Sequence, residues 1–226
     1  MNPDFEVKEK LTSDTIFSFL NAYTERFVRI NYLQEDAVQD GTRAQKKNAD
    51  ALKGLIVRGL YAIEAKDANN TDRVSDRVIL PENYFLYIRS NSLISKNYKI
   101  ETEIATEANY VVTPNKTIRE DDVEKVISTY YNKAIMLNPY VVLNAGNVTD
   151  SADKLYINII HDEYTIIKKL DLVYYRRPKR FDVIGVDGTN VLDHCELPDN
   201  VHMEIVEGAV EMFITEARYR LNMKQE

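Results

Sequence analysis

The sequence contains a single cysteine, Cys195, and no tryptophan. One cysteine cannot form an intramolecular disulfide or supply a multi-cysteine metal site, and such usage is typical of a reducing compartment. Glycine and proline are also scarce, with 7 and 6 residues in a chain of 226, and we find no repeat or low-complexity tract. The composition therefore predicts an ordinary globular protein that is long enough to bury a substantial core.

Long apolar runs and an excess of positive charge are also missing. No stretch approaches the ~20 apolar residues of a membrane-spanning helix, and residues 1–10 lack the apolar segment of a secretory signal. We therefore expect a soluble chain without membrane contact. The formal net charge is −7, from 29 basic and 36 acidic residues. Proteins that bind duplex DNA usually carry a basic footprint, so this balance argues against that class.

Catalytic motifs are absent as well. The seven glycines do not take the spacing of a phosphate-binding loop. The nearest approaches to a metal or acid–base site are His161-Asp162-Glu163 and the pair His194-Cys195. The first group lies where a hairpin turn is expected, and neighbouring residues of a strand point to opposite faces. The second lacks further ligands. We therefore predict no catalytic residue, no metal and no cofactor, and that the protein is not an enzyme.

The N-terminal part predicts helices. We expect an extended arm over residues 1–10 and then a helical hairpin over 11–69. Thr12-Ser13-Asp14 is a helix start signal, and apolar residues follow it at spacings of three and four. After a polar break at 34–41, a second apolar stripe predicts another helix over about 42–66.

Residues 70–195 have a different character and predict a β-rich insertion that carries one helix. The capping-box pattern Thr117-Ile118-Arg119-Glu120 indicates the start of that helix. Short runs rich in β-branched and aromatic residues are typical of strands. These runs are Arg77–Leu80, Tyr84–Ser90, Tyr110–Val112, Tyr140–Leu143, Leu155–Ile160 and Ile166–Tyr175.

The C-terminal segment, 196–226, predicts a long helix that starts around Leu197-Pro198-Asp199-Asn200. Its apolar face is wider than one hairpin can cover, so either the N-terminal hairpin wraps around it or a neighbouring subunit covers part of it. The predicted fold class is α+β. In it, the N-terminal helical hairpin and the C-terminal helix form a bundle from which the β-rich insertion emerges.

One cationic and aromatic stretch is the most distinctive local feature. Such a mixture can clamp single-stranded nucleic acid through stacking and phosphate contacts. It can equally form a protein interface, in which Tyr and Arg are enriched, or it can be a strand end with solvated charges. We select it as a candidate protein-binding site. Its residues are Tyr174, Tyr175, Arg176, Arg177, Lys179, Arg180 and Phe181.

The C-terminal half resembles the head–tail connector (neck) ring proteins of tailed bacteriophages, and more narrowly those of the crAss-like phages. The resemblance covers roughly residues 165–222. It is carried by a strand that ends in Arg177-Pro178 and by the start of the following helix. The matching positions of that helix start are Glu196, Leu197, Pro198, His202, Glu204, Ile205 and Val206.

The resemblance implies a structural virion protein at the neck between capsid and tail, made in the host cytoplasm before assembly. Its copies would form a ring, a dodecamer, between the portal protein and a neighbouring neck or tail ring protein. DNA would pass through the channel during genome ejection without specific binding, because an acidic lumen repels phosphates. From the residues alone, two alternatives stay open: a single-stranded nucleic-acid-binding module at Tyr174–Phe181, or a small metal-dependent hydrolase centred on His161 and Asp162.

Overall fold

The computed structural model describes most of the chain and divides it into two compact units. One unit is Ile56–Arg176, and the other consists of the flanking segments, Met1–Leu55 and Arg177–Glu226. We call them the β unit and the helical unit. The described residues are 12–37, 50–63, 75–95, 110–128, 138–144, 155–162, 165–181 and 195–223.

The described part of the β unit contains eight strands in two four-stranded sheets. The strands are β1 (Ile56–Ala62), β2 (Ser75–Ile79), β3 (Tyr84–Ser95), β4 (Tyr110–Pro114), β5 (Lys116–Ile118), β6 (Tyr140–Asn144), β7 (Tyr156–Ile160) and β8 (Ile167–Arg176). The first sheet has the order β1-β8-β3-β4 and is antiparallel throughout. The second has the order β2-β7-β6-β5, in which only β5 and β6 run parallel.

The core of the β unit contains side chains from both sheets. Alternate residues of β7, such as Ile157 and Ile159, are buried with Leu170 and Leu172 of β8, as expected for strands with one face towards a core. Tyr174 belongs to the same core: its hydroxyl donates to Asn83 Oδ1 at 2.9 Å and accepts from the hydroxyl of Tyr61 at 3.3 Å. Burial raises the pKa of the Tyr174 phenol above its ordinary value.

A second cluster involves the sheet β2-β7-β6-β5. Helix α2 (Val123–Ser128) follows a 3₁₀ turn at Glu120–Asp122. It contributes the buried Val123, which packs with Tyr140, Val142 and Ile160.

The described part of the helical unit contains two long helices, α1 (Ser13–Ala37) and α3 (Asp199–Met223). Thr12 caps α1, since its Oγ1 accepts from the backbone N–H of Thr15 at 3.4 Å. The N-terminal half of α3 buries Val201 and Ile205, and the second half of α1 buries Phe27 and Val28. Among the described helices, none is both long enough and apolar enough to cross a membrane.

The predicted fold class is wrong. The described structure is mostly β, with one long helix near each end of the chain, and it does not contain a bundle of a helical hairpin and a C-terminal helix. The main error is the helix predicted over 42–66, because residues 56–62 form β1, which pairs along its whole length with β8. The spacing of apolar residues in this segment suits a helix or a strand. Gly54 and Gly59 disfavour a helix, and the edge of β8 supplies hydrogen-bond partners for the backbone of a strand.

Two local predictions also need correction. After β7, the Thr165 N–H donates to the Asp162 carbonyl at 3.3 Å. The predicted hairpin at His161-Asp162 is not formed, because β7 and β8 belong to different sheets. The capping box at Thr117 is not formed either, since Thr117 lies in β5 and the residue that precedes the 3₁₀ turn, Arg119, makes no side-chain cap.

Other predictions are confirmed. The six predicted strands correspond to β2, β3, β4, β6, β7 and β8, and the start signals of α1 and α3 are correct within one or two residues. The predicted arm, 1–10, lies outside the described residues. Residues 38–49, which contain the start of the predicted second helix, also lie outside the described residues. The same is true of Glu163 and His194.

A buried carboxylate joins three strands of the first sheet. Asp171 of β8 accepts from Arg58 Nε at 2.8 Å and Nη2 at 2.6 Å, and from Asn91 Nδ2 at 3.2 Å. The hydrogen bonds from Arg58 are the main cause that lowers the pKa of Asp171, and burial of the carboxylate opposes them. The carboxyl of Asp171 therefore binds its proton less tightly in the folded protein than in the unfolded chain. At a pH above the pKa of the unfolded chain, the ion pair with Arg58 stabilises the fold. This stabilisation is lost as the pH falls through the lower pKa of the folded protein.

We predict that Asp171→Asn lowers the free energy of unfolding at pH 7 by about 1.5–3 kcal/mol, the usual range for a hydrogen bond to a charged group. The difference from the wild type should shrink below a pH of about 4, where unfolded aspartates are protonated. Urea denaturation at several pH values measures both effects. Asp121→Asn, which removes an exposed ion pair with Arg119, is the control and should change little. A difference that persists unchanged at low pH would contradict this account.

Candidate interaction surface

Two of the seven predicted binding residues are buried inside the β unit. Tyr174 is 2% exposed and Tyr175 is 3% exposed. While the β unit holds this conformation, neither ring can stack on a base or contact a partner. Arg176 ends β8 and is half-buried.

The other four predicted residues belong to the helical unit, where carboxylates of the same unit neutralise two of the cations. Arg177 Nε lies 3.8 Å from Glu25 Oε1, and Lys179 Nζ lies 3.7 Å from Glu196 Oε1. The backbone N–H of Lys179 also donates to Glu196 Oε2 at 3.2 Å. Arg180 differs: its side chain is exposed, and no carboxylate among the described residues lies within ion-pair distance of it.

Asn21 of α1 holds the end of this segment. Its Nδ2 donates to the carbonyl of Phe181 at 3.1 Å, and its Oδ1 accepts from the Phe181 N–H at 2.7 Å. The amide thus satisfies both backbone groups of Phe181 as a neighbouring strand would. Sequence reasoning did not find Asn21, because an isolated asparagine on a helix gives no signal of a partner 160 residues away.

The residues that carry the phage resemblance lie mostly at the start of α3 and have identifiable structural roles. Leu197 is buried, and its carbonyl accepts from His202 Nε2 at 2.7 Å. The Val201 N–H donates to the carbonyl of Pro198 at 3.0 Å. Glu196 contacts Lys179 as described above. The motif therefore fixes the point at which α3 begins and ties it to the segment that contains Lys179.

Helices α1 and α3 approach each other closely in the middle. The rings of Phe19 and Phe213 meet edge to face, with centroids 5.5 Å apart and an angle of 84° between their planes. Tyr23 of α1 lies directly against Gly208 of α3, and a Cβ added to Gly208 would come within 1.8 Å of that ring. Only glycine leaves room for the ring in this arrangement.

Beyond this contact, α3 carries an exposed apolar stripe. The stripe consists of Met203 (67% exposed), Val206 (44%), Val210 (51%) and Ile214 (42%). At about 100° per residue these side chains lie on one face, next to the face that packs on α1. The edge of the stripe nearest to α1 lines a groove of about 260 Å³ in which Thr15 is the one polar residue. Its other residues are Ile16, Phe19, Leu20, Val206, Ala209, Val210 and Phe213.

An acidic row follows the outer edge of the apolar stripe. Glu204, Glu207 and Glu211 are exposed on successive turns of α3. Within the described part of the chain, none of the three has a cation at ion-pair distance. Like charges three or four residues apart on a helix repel each other by about 0.2–0.5 kcal/mol per pair. This face of α3 therefore combines an apolar surface with unneutralised negative charge.

Among the described residues named as possible metal ligands, His161 makes contacts within the β unit. His161 Nε2 lies 3.1 Å from Asp76 Oδ2, and its Nδ1 lies 2.7 Å from the carbonyl oxygen of Asp162. Both ring nitrogens therefore have oxygen neighbours within the chain. Burial raises the pKa of the Cys195 thiol, which disfavours the thiolate that a metal or an electrophile requires. The described residues contain no group of three or more candidate ligands.

The close contact at Gly208 can be tested by substitution. We predict that Gly208→Ala destabilises the protein by about 1–3 kcal/mol through overpacking against Tyr23, although alanine favours a helix by about 1 kcal/mol. Urea denaturation measures the change. In the double variant Gly208→Ala/Tyr23→Leu, most of the loss should be recovered.

Gly54→Ala is a matched control, because the added Cβ there comes only within 3.7 Å of the Glu196 carbonyl oxygen, an ordinary contact. A Gly208→Ala variant more stable than the wild type would show that Tyr23 moves aside freely.

Comparison with known proteins does not place the chain in a family. No protein-family model matches it, and no curated protein matches it.

Proposed function

We propose that this protein is a non-catalytic structural subunit of a head–tail connector ring in a phage virion, with the portal protein on one side and another neck or tail ring protein on the other. The supporting observation is the exposed stripe from Met203 to Ile214 on α3. Contiguous exposed apolar surface beside charged residues is typical of surfaces that bind other proteins. A subunit of a ring presents such surfaces to its neighbours.

The size of the stripe indicates how strongly one contact holds. Fully burying one aliphatic side chain contributes about 1.5–3 kcal/mol, and the four side chains of the stripe are already about half buried. Covering them therefore contributes on the order of 3–6 kcal/mol. Association itself costs about 4–15 kcal/mol. A single contact between two copies is thus weak. In a closed ring each subunit has two neighbours, and a portal holds the subunits side by side, so the contacts act together.

Charge supports the proposed relation to DNA. Each copy has a formal charge of −7, so a ring of copies is strongly acidic and repels the phosphate backbone. DNA then moves through the channel without being held. Acidic side chains are expected along the lumen of the ring, and a basic lumen would contradict this part of the proposal.

The two alternatives drawn from the sequence have less support. A single-stranded nucleic-acid module at Tyr174–Phe181 loses two stacking rings, because Tyr174 and Tyr175 are buried. A hydrolase centred on His161 lacks a ligand cluster in the described parts of the chain.

We predict that the purified protein self-associates weakly and reversibly, and that its own phage's portal converts it into a stable ring. Sedimentation equilibrium over a range of concentrations measures the first property. Negative-stain imaging of the protein mixed with that portal measures the second. A stable monomer that leaves the portal undecorated at every concentration would refute the connector function. Retention of an oligonucleotide at low salt would favour the nucleic-acid module instead.

A further inference from the structure

The apolar groove between α1 and α3, the α1–α3 groove, lies close to the start of α1. Ile16 lines it on the side of α1, and Val206 and Val210 line it on the side of α3. In the sequence, residues 1–11 precede the cap of α1 and lie outside the described residues. We call them the N-terminal segment, and we propose that the segment of each copy docks in the α1–α3 groove of the same copy. The docking does not depend on the connector function.

The cap of α1 brings the preceding chain to the edge of this groove. Thr12 Oγ1 accepts from the Thr15 N–H at 3.4 Å, and the Thr12 carbonyl accepts from the Ile16 N–H at 3.2 Å. Leu11 comes directly before this cap, and Ile16 follows the cap by four residues. Apolar residues at these two positions often pack on each other, and their contact fixes the angle at which the chain enters the helix. Because Ile16 is exposed and lines the groove, its contact with Leu11 holds the N-terminal segment at the groove.

The N-terminal segment is long enough to occupy the groove. Along α3 the groove extends from Val206 to Phe213, which is about 10 Å for a helix. An extended chain advances by roughly 3.3 Å per residue, so Phe5 reaches as far as about 20 Å from Leu11. This length allows the chain to turn after it leaves the cap and still to place Phe5 and Val7 along the groove. The distances therefore permit docking within one copy.

Apolar side chains of the N-terminal segment match the lining of the groove. Phe5, Val7 and Leu11 are separated by even numbers of residues, so an extended chain places them on one side. On the side of the groove, Val206 and Val210 still expose much of their surface. Docking removes apolar surface of both partners from water, which is favourable.

Charge does not select this occupant. The N-terminal segment contains three carboxylates and two lysines, and the acidic row of α3 lies beyond the exposed stripe. The contact is therefore apolar, and added salt, which screens charges, should leave it in place. The charged residues of the segment are Asp4, Glu6, Lys8, Glu9 and Lys10.

A short tether favours the segment of the same copy over that of another copy. A group linked to its site by a few residues has an effective concentration in the millimolar range. At micromolar protein, this exceeds the concentration of segments from other copies by about a thousandfold. Val206 and Val210 belong both to the groove and to the exposed stripe, so a docked segment also competes with a second copy for them. This competition, unlike the docking, rests on the assembly proposed above.

Tryptophan fluorescence tests the docking, because the chain has no tryptophan of its own. We expect the tryptophan of the Phe5→Trp variant to emit at a shorter wavelength than free tryptophan and to be shielded from a dissolved quencher. Both properties should be independent of protein concentration. In the same background, Val206→Asp and Val210→Asp should each abolish the blue shift, because a ring that covers the new carboxylate removes its hydration.

Val112→Asp is the matched control for the two groove variants. Val112 is exposed in β4 of the β unit, so this variant makes the same change in charge away from the groove and should retain the blue shift. Thermal unfolding of each variant, followed by circular dichroism, confirms that the fold is retained.

Self-association tests the competition. Phe5→Ser removes an apolar side chain of the N-terminal segment without a change in charge, so it should free the groove and raise the association constant. Sedimentation equilibrium measures this constant. Val112→Ser, which removes an exposed apolar side chain of the β unit, is the control and should leave the constant unchanged.

The outcomes separate this inference from the connector function. Emission typical of an exposed tryptophan, or a blue shift that survives both groove variants, would overturn the docking. A blue shift that develops only as the protein concentration rises would also overturn it and would show that another copy supplies the segment. An association constant that does not rise in Phe5→Ser would overturn the competition. If the fluorescence behaves as expected but no portal is decorated, the docking stands and the connector function fails. If a portal is decorated although the tryptophan is exposed, the connector function stands and the docking fails.

Discussion

Strand β8 is the constraint on which the β unit depends. It hydrogen-bonds to β1 along one edge and to β3 along the other, so its backbone is paired on both sides. This position places Asp171 beside Arg58 and Asn91, and it places Tyr174 in the core with Tyr61 and Asn83. Because an unpaired backbone group inside a protein is costly, a strand in this position recruits a partner for each edge. Residues 56–62 serve as that partner on one side.

The two units use apolar surface differently. In the β unit, side chains from both sheets form a cluster in which Ile157, Leu170 and Leu172 are fully buried. In the helical unit, α1 covers only part of the apolar face of α3. Val201 and Ile205 are buried, whereas Val206, Val210 and Ile214 are exposed further along the same helix. The excess of apolar surface predicted for this helix is thus observed. The proposed role as an assembly subunit depends on this surface.

The cationic stretch after β8 shows how neighbouring residues can have separate roles. Tyr174 and Tyr175 alternate across a paired strand and are buried on both of its faces. After Arg176 the chain leaves the sheet, and Arg177, Lys179 and Phe181 are held by Glu25, Glu196 and Asn21. Arg180 is exposed, and among the described residues no carboxylate lies within ion-pair distance of it. A composition that suggests one binding site therefore separates into core, internal ion pairs and a single candidate contact residue.

What the sequence alone determined is local. The cap at Thr12, the helix start at Pro198 and the six predicted strands follow from residue preferences and from periodicity, which act over a few residues. What only the tertiary structure decided is long-range: that 56–62 is a strand, that β7 and β8 lie in different sheets, and that Asn21 binds Phe181. Each of these depends on a partner that is distant in the sequence, such as the edge of β8 that pairs with 56–62. An apolar pattern that suits a helix and a strand equally well becomes one or the other only when that partner is in place.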